Sequence, residues 1–208
     1  MSLLLVGADN GQKQSDLIRR SAAHGVVMLV EPVPFLFAAL SRTWSDVPNV
    51  VCLNCCVAVE AGKTSFHAPT PDAINVHPAG DQLGSTIAEH AIRHDPALAA
   101  HIVEIEVEAV TFLDIVRHFG ITSPDILFTD TEGYDAKLLP LFPFELPRPG
   151  QIVFEYKHAD GTFNIGRELG RLLIMLDEFG YDMRIVDLEN CVAVLRPTYA
   201  LVAATGVA

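Results

Sequence analysis

The chain has 208 residues, half of them hydrophobic and 19% charged, which suits one folded α/β domain with a sizeable core. Its formal net charge is −12, and its fourteen Lys and Arg residues form no run, which argues against nucleic acid or any partner gripped through a phosphate backbone. No apolar stretch approaches the ~18–20 residues of a membrane span, and the apolar start at Leu3 is too short for a signal peptide, so no membrane partner and a cytoplasmic setting are expected.

Leu3-Leu4-Leu5-Val6 reads as a first strand that runs into Gly7-Ala8-Asp9-Asn10-Gly11. A helix is expected over 12–24, with Leu17, Ile18 and Ala22 on its apolar side. A second strand over 26–30 ends in Glu31, twenty residues past Gly11. A glycine turn after one strand and an acid at the tip of the next is the layout of a nucleotide pocket, the acid accepting hydrogen bonds from ribose hydroxyls. Pro32 and Pro34 open a helix towards Trp44, and a third strand is expected over 49–55.

The alternation of strand and helix then breaks. Val57–Val59 and Thr64–His67 flank Glu60-Ala61-Gly62-Lys63 and read as a hairpin. Residues 69–96 are rich in Pro, Gly, Asp and His and read as a long loop, so one domain over 1–208 with an insert at about 69–101 is expected. His67, His77, His90, His94 and His101 fall in or beside that loop and read as mostly solvated. Residues 102–110 alternate, with Val103, Ile105 and Val107 inward and Glu104, Glu106 and Glu108 outward.

A helix over 111–119 follows, with Thr111 and Asp114 at its start and Gly120 at its end. Residues 125–129 make a fourth strand ending in Asp130-Thr131-Glu132-Gly133, with a short helix from Tyr134 to Leu139. Four prolines between 140 and 149 form a rigid connector. A fifth strand over 152–156 leads to a helix over 165–179 with Leu169, Leu172, Leu173 and Leu176 inward. The chain closes in two strands too near each other for a crossover, which must pair antiparallel. Cys52-x-x-Cys55 lacks the second pair of a zinc site, and with Cys56 and Cys191 it reads as strand core.

The expected fold is therefore a mainly parallel sheet with an antiparallel C-terminal hairpin and helices on both faces. That is the Rossmann-like, class I methyltransferase arrangement. The charge of the glycine turn also selects among nucleotides. Asp9 stands where a dinucleotide site needs its second glycine, and it would repel a pyrophosphate. S-adenosylmethionine carries a cationic sulfonium and ammonium, which an acid favours.

In order and spacing, several segments resemble the FkbM-type methyltransferases: Gly7-Ala8-Asp9-Asn10-Gly11-Gln12, Glu31-Pro32, Asn49 through Asn54, Gly84-Ser85-Thr86, Val110 through Asp114, Asp125 through Gly133, and Pro149 through Glu155. The resemblance spans about residues 3–158 and implies O-methylation of a small-molecule or sugar hydroxyl with S-adenosylmethionine as cofactor. It places Gly7, Asp9 and Gly11 beside the methionine and ribose, Glu31 on the ribose hydroxyls, and Asp130 beside the transferable methyl. Two positions differ from the family pattern. Leu5 stands where an acid precedes the first glycine, and Thr129 stands where a Lys is common. The segment the family carries ahead of its first strand is not found before Leu3, so a partner subunit, as in a homo-oligomer, or the 69–96 loop is expected to cover the site.

Catalytic groups belong at the carboxyl ends of the strands. His158 is the expected general base, since imidazole titrates near neutrality; Lys157 and Asp160 share its loop. Asp130 reads as base or cofactor ligand, and Glu132 as a catalytic group or a cap of the helix after it. Asp130, Glu132 and Glu155 together could hold Mg²⁺, although no metal is assigned. Tyr134 and Tyr156 read as an acceptor platform or as core. Two rivals stand beside the methyltransferase reading. One is a non-catalytic S-adenosylmethionine-binding or assembly protein; the other is an NAD-dependent oxidoreductase, disfavoured by Asp9 and the closing hairpin.

Overall fold

The computed structural model of the chain describes residues 1–119, 123–159 and 166–197. Gly120, Asp160 and Ile165, named above, lie outside the described residues. The elements in chain order are β1 (Leu3–Val6), α1 (Ser15–Ala22), β2 (Val27–Val30), α2 (Pro34–Trp44), β3 (Val50–Leu53), β4 (Cys56–Val57), β5 (Gly62–Pro69), α3 (His90–His94), β6 (Ile102–Val110), α4 (Phe112–Phe119), β7 (Ile126–Thr129), α5 (Asp135–Leu138), β8 (Gln151–Glu155), α6 (Arg167–Glu178), β9 (Tyr181–Ile185) and β10 (Asn190–Leu195).

Seven strands form the main sheet in the order β3-β2-β1-β7-β8-β10-β9. The first five run parallel, and β10 pairs antiparallel with both β8 and β9. Continuous apolar runs suit strands covered on both faces, and every residue of β1 and β2 is buried. Alternate side chains enter different cores. Leu4, Val6, Met28 and Val30 join Ile115 of α4, Leu138 of α5 and Leu169, Leu172 and Leu176 of α6. Leu3, Leu5, Val27 and Leu29 join Ile18 of α1 and Leu40 and Trp44 of α2. Helices thus cover both faces, as expected from the sequence.

The expected hairpin after β3 does not form. β4 and β5 both pair with β6 instead, parallel and antiparallel respectively, in a second sheet ordered β4-β6-β5. Two-residue β4 cannot satisfy the backbone of eight-residue β5. Nine-residue β6 can, in register from Gly62↔Ala109 to Pro69↔Ile102, and its outward glutamates take partners on β5: Lys63 Nζ lies 2.7 Å from Glu106 Oε1, and Ser65 donates to Glu104. The alternation in β6 is also shorter than expected. Val107 and Ala109 are buried, but Val103 is 45% exposed, beyond the edge of the core.

Residues 69–101 are not a structureless loop. Short 3₁₀ helices at Pro71–Asn75, Gly80–Gln82 and Pro96–His101, together with α3, enclose Ala73, Leu83, Ala91 and Leu98. Elements of one or two turns leave no hydrophobic period to read. Ser85 ties this insert down. It exchanges both backbone hydrogen bonds with His67 of β5, and its hydroxyl donates to the Glu132 carbonyl at 2.8 Å. Among the described residues, no helix is long and apolar enough to cross a membrane.

The turn after β1 needs glycine for steric reasons. Gly7 has φ +81°, and a Cβ there would stand 1.8 Å from the Asp130 carbonyl oxygen at the end of β7. Gly7→Ala is therefore expected to lose more than ~2 kcal/mol of stability, combining left-handed strain with a backbone clash. Gly170, within α6, faces open space. Gly170→Ala is expected to gain ~0.5–1 kcal/mol. Urea unfolding of both variants checks this contrast, and equal effects would contradict it.

Candidate active site at the strand ends

The order of the main sheet reverses between β1 and β7, and open α/β sheets bind ligands at that switch point. The Gly7 and Ala8 amides both donate to the Val30 carbonyl at 3.0 Å, bending the chain across the end of β2. Asp9 follows in the left-handed region, φ +49°. Its amide donates to Glu31 Oε2 at 2.9 Å, while the Val33 amide donates to Glu31 Oε1 at 2.8 Å. Glu31 is 2% exposed, so one buried carboxylate joins the glycine turn to the start of α2. Asn54 Nδ2 steadies the same corner by donating to the Glu31 and Pro32 carbonyls.

A narrow cleft opens here, lined by Gly7, Asp9 and Glu31 on one side and by Val33, Leu36, Cys55, Val57 and Phe66 on the other. Its enclosed volume is about 40 Å³. Gly11 does not line it. The missing Cβ of Gly11 faces Trp44 Nε1 at 2.3 Å, so this glycine admits α2 to the sheet. Leu5 is fully buried in the core beneath α1 and α2.

Beyond the cleft lies a wide cavity of about 650 Å³, whose lining includes Lys13, His94, Glu155, Lys157, His158 and Glu189. Asp130 and Glu132, directly after β7, line both spaces. Glu132 does not cap α5. It sits at φ +50° with Oε2 2.8 Å from His90 Nε2. The start of α5 is held by Asp135, whose Oδ2 accepts from the Thr131 amide and hydroxyl. Tyr134 lines the narrow cleft, and Tyr156 packs against the main core.

His158 is 3% exposed, with Nδ1 2.8 Å from Glu155 Oε1. It is not alone. Its ring centroid lies 4.9 Å from that of His94 and 5.7 Å from that of His90. The histidines of the insert were expected to be mostly solvated, and this fails for two of them. His90 is fully buried and His94 half-buried, because the insert folds α3 down onto the ends of β7 and β8. The spacing His90-x-x-x-His94, which sets two rings on one face of a helix, was the signal for this pair. Lys13 is a second site residue not anticipated from the sequence. Glu132 converges with imidazoles rather than with Asp130 and Glu155.

The electrostatics are those of buried, crowded acids. Burial, then Glu31 and Asp130, holds Asp9 well above the carboxylate range. Burial pushes Glu31 up to about 7 against the pull of its two backbone donors. Burial and then Glu155 push Asp130 up to about 6. Burial and then Asp130 hold Glu132 high as well. Lys13 is raised, because Asp130, Asp9 and Glu132 together outweigh the burial that would lower it. Burial and then neighbouring imidazole charge depress His90 to about 3 and His94 to about 4, so both rings are neutral near pH 7.

A family model described as methyltransferase FkbM domain matches residues 6–183. A comparison with curated proteins gives no match. Among solved structures, methyltransferase FkbM from Methylobacillus flagellatus is similar at 13% identity and TM-score 0.54, over 93% of this chain and 44% of that one. Fibrillarin from Aeropyrum pernix, with natively bound S-adenosyl-L-methionine, is similar at 14% identity and TM-score 0.50, over 93% of this chain and 66% of that one. The chain thus spans less than half of the first structure and about two thirds of the second; both likenesses concern the fold.

Carboxyls raised in the folded state contribute stability that is fully present below their unfolded values, ~4, and lost as pH rises through about 6 for Asp130 and about 7 for Glu31. The depressed imidazoles slope the opposite way, so a difference between two proteins is the clean readout. Asp9→Asn keeps a residue that tolerates left-handed backbone and removes one crowded charge. Its gain in Tm over the ligand-free parent is expected to be near zero at pH 4.5 and to widen through pH 7.5 in differential scanning fluorimetry. A gap that stays constant or closes would contradict this.

Proposed function

We propose that this chain, which belongs to the FkbM methyltransferase family, transfers the methyl group of S-adenosylmethionine to a hydroxyl of a small molecule or sugar. The observation that carries this reading is the meeting of a narrow, mainly apolar cleft and a wide polar cavity at Asp130 and Glu132. Cofactor and acceptor would face each other across those two residues.

The residues fit the cofactor by chemistry. Val33, Leu36, Val57 and Phe66 offer apolar walls for an adenine ring. Each Glu31 oxygen accepts one backbone N–H, which leaves lone pairs for the ribose hydroxyls. Lys13, in the cavity beside Asp130, is the cation suited to the methionine carboxylate. When bound, S-adenosylmethionine supplies an electrophilic methyl on a cationic sulfur. Asp9, Asp130 and Glu132 surround that sulfur with carboxyl groups whose ionised form a cation favours and the pyrophosphate of NAD opposes.

The cavity walls would align the acceptor hydroxyl with the methyl group, and such positioning can contribute ~7–11 kcal/mol towards the barrier. Asp130 is the group we assign to take the hydroxyl proton. It lines both spaces, and its carboxyl, pushed up to about 6, lies close enough to neutrality for a general base. His158, enclosed by Glu155, His90 and His94, belongs to a different constellation.

Calorimetry tests the reading. S-adenosylmethionine is expected to bind and NAD is not. Glu31→Ala is expected to weaken cofactor binding by ~1.5–3 kcal/mol, the worth of hydrogen bonds to a charged group. Asp130→Asn is expected to cut S-adenosylhomocysteine formation, across a panel of hydroxylated acceptors, by ~10²-fold or more. No binding at millimolar S-adenosylmethionine would overturn the proposal. Binding without turnover on any acceptor would favour the non-catalytic reading.

A further inference from the structure

Three imidazoles and one carboxylate converge where the insert meets the strand ends. His90 and His94 come from α3, Glu132 from the turn after β7, and His158 from the turn after β8. One ligand atom from each of the four lies within 4.8 Å of every other. His90 Nε2 is 3.3 Å from His94 Nε2 and 2.8 Å from Glu132 Oε2. Tetrahedral bonds of ~2.0–2.1 Å place neighbouring donor atoms ~3.3–3.4 Å apart; the His90–His94 separation matches that edge, His90 and Glu132 stand closer, and the widest spacings, within 4.8 Å, close by side-chain rotation when an ion binds.

We propose that His90, His94, Glu132 and His158 bind one first-row divalent transition-metal ion of the zinc type, which clamps the 69–101 insert over the wall of the acceptor cavity. The donor set decides the class of ion. Three ring nitrogens and one carboxylate suit zinc, cobalt or nickel, whereas magnesium and calcium take all-oxygen sets. The surroundings fit as well. His158 Nδ1 lies 2.8 Å from Glu155 Oε1, which puts a carboxylate within reach to orient a metal-bound imidazole. Neutral imidazole is the ligating form.

Four protein ligands close the coordination shell, the pattern of a structural rather than a catalytic ion. Its effect is mechanical. α3 is only five residues long, and the small core of Ala73, Leu83, Ala91 and Leu98 is modest. A bond from two α3 histidines to the ends of β7 and β8 fixes the insert at the cavity mouth. The site rests on side-chain geometry alone and stands whether or not the methyl-transfer reading holds.

The test uses the full chain with any affinity tag removed, stripped with a chelator and dialysed against zinc, cobalt or magnesium. One zinc per chain is expected by elemental analysis, and the cobalt form is expected to show the visible d–d absorption of a tetrahedral site. A rise in Tm of about 5–10 °C is expected at a hundredfold excess of zinc over its Kd, with none from magnesium. His94→Ala, at a half-buried position, is expected to keep the parent's circular dichroism and lose all three signals; His77→Ala, beside the cluster, is expected to keep them. Substoichiometric zinc in the parent, an octahedral cobalt spectrum, or undiminished zinc binding by His94→Ala would overturn the proposal. S-adenosylmethionine calorimetry on the stripped protein separates this outcome from a failure of the cofactor reading.

Discussion

Negative charge held out of water at the carboxyl ends of β1, β2, β7 and β8 is the constraint around which the molecule is arranged. Glu31 is the clearest case. It is almost fully buried, yet each of its oxygens meets a backbone N–H, from Asp9 on one side and Val33 on the other. A buried carboxylate left unpaired would be expensive. Paired in this way, it becomes the joint between the glycine turn and α2. Asp130, Glu132 and Glu155 are crowded nearby, and burial first, then mutual repulsion, raises the proton affinity of Asp130 and Glu132. A protein that accepts such a cost in the ligand-free state trades stability for a function. The two cations proposed here, a sulfonium cofactor and a divalent metal ion, both relieve it.

The fold supplies this crowding with little freedom to avoid it. Parallel strands share one direction, so the groups that follow β1, β2, β7 and β8 emerge at one end of the sheet. Gly7 lets the first turn pass within contact of the Asp130 carbonyl, and Gly11 lets α2 bring Trp44 against the same turn. The second sheet and the insert then form a wall beside that end, with Ser85 bridging β5 to Glu132. Cleft and cavity are two sides of one row of strand ends, divided by Asp130 and Glu132.

The sequence made the main sheet legible because its signals are local. Four-residue apolar runs, the proline at the start of α2 and the leucines of α6 each report on their own element. The spacing from Gly11 to Glu31 pointed to the crevice for the same reason, and the segment from Asp125 to Gly133 pointed to the family. What escaped was set by distant partners. The segment after β3 has hairpin chemistry in its turn residues, but β6, some forty residues away, offers β5 a longer register. The insert has no period because its helices last only one or two turns. His90 and His94 read as polar loop residues until the insert folds, and only then does their i, i+4 spacing face His158 and Glu132. Gly11 was read as lining a ligand; its missing Cβ also admits the Trp44 ring of α2, and no local pattern separates those two uses of a glycine.

The proposed cationic cofactor would ionise the buried acids of the crevice on binding. The direct measurement is proton linkage: calorimetric titration of S-adenosylmethionine and S-adenosylhomocysteine at pH 6–7, each in two buffers of different ionisation enthalpy. Glu31 and Asp130, with carboxyls raised to about 7 and about 6, should release protons when the sulfonium binds, and release fewer for the uncharged sulfur of S-adenosylhomocysteine. Net proton release that is larger for S-adenosylmethionine is the predicted result. Equal release for both ligands, or proton uptake, would contradict the account.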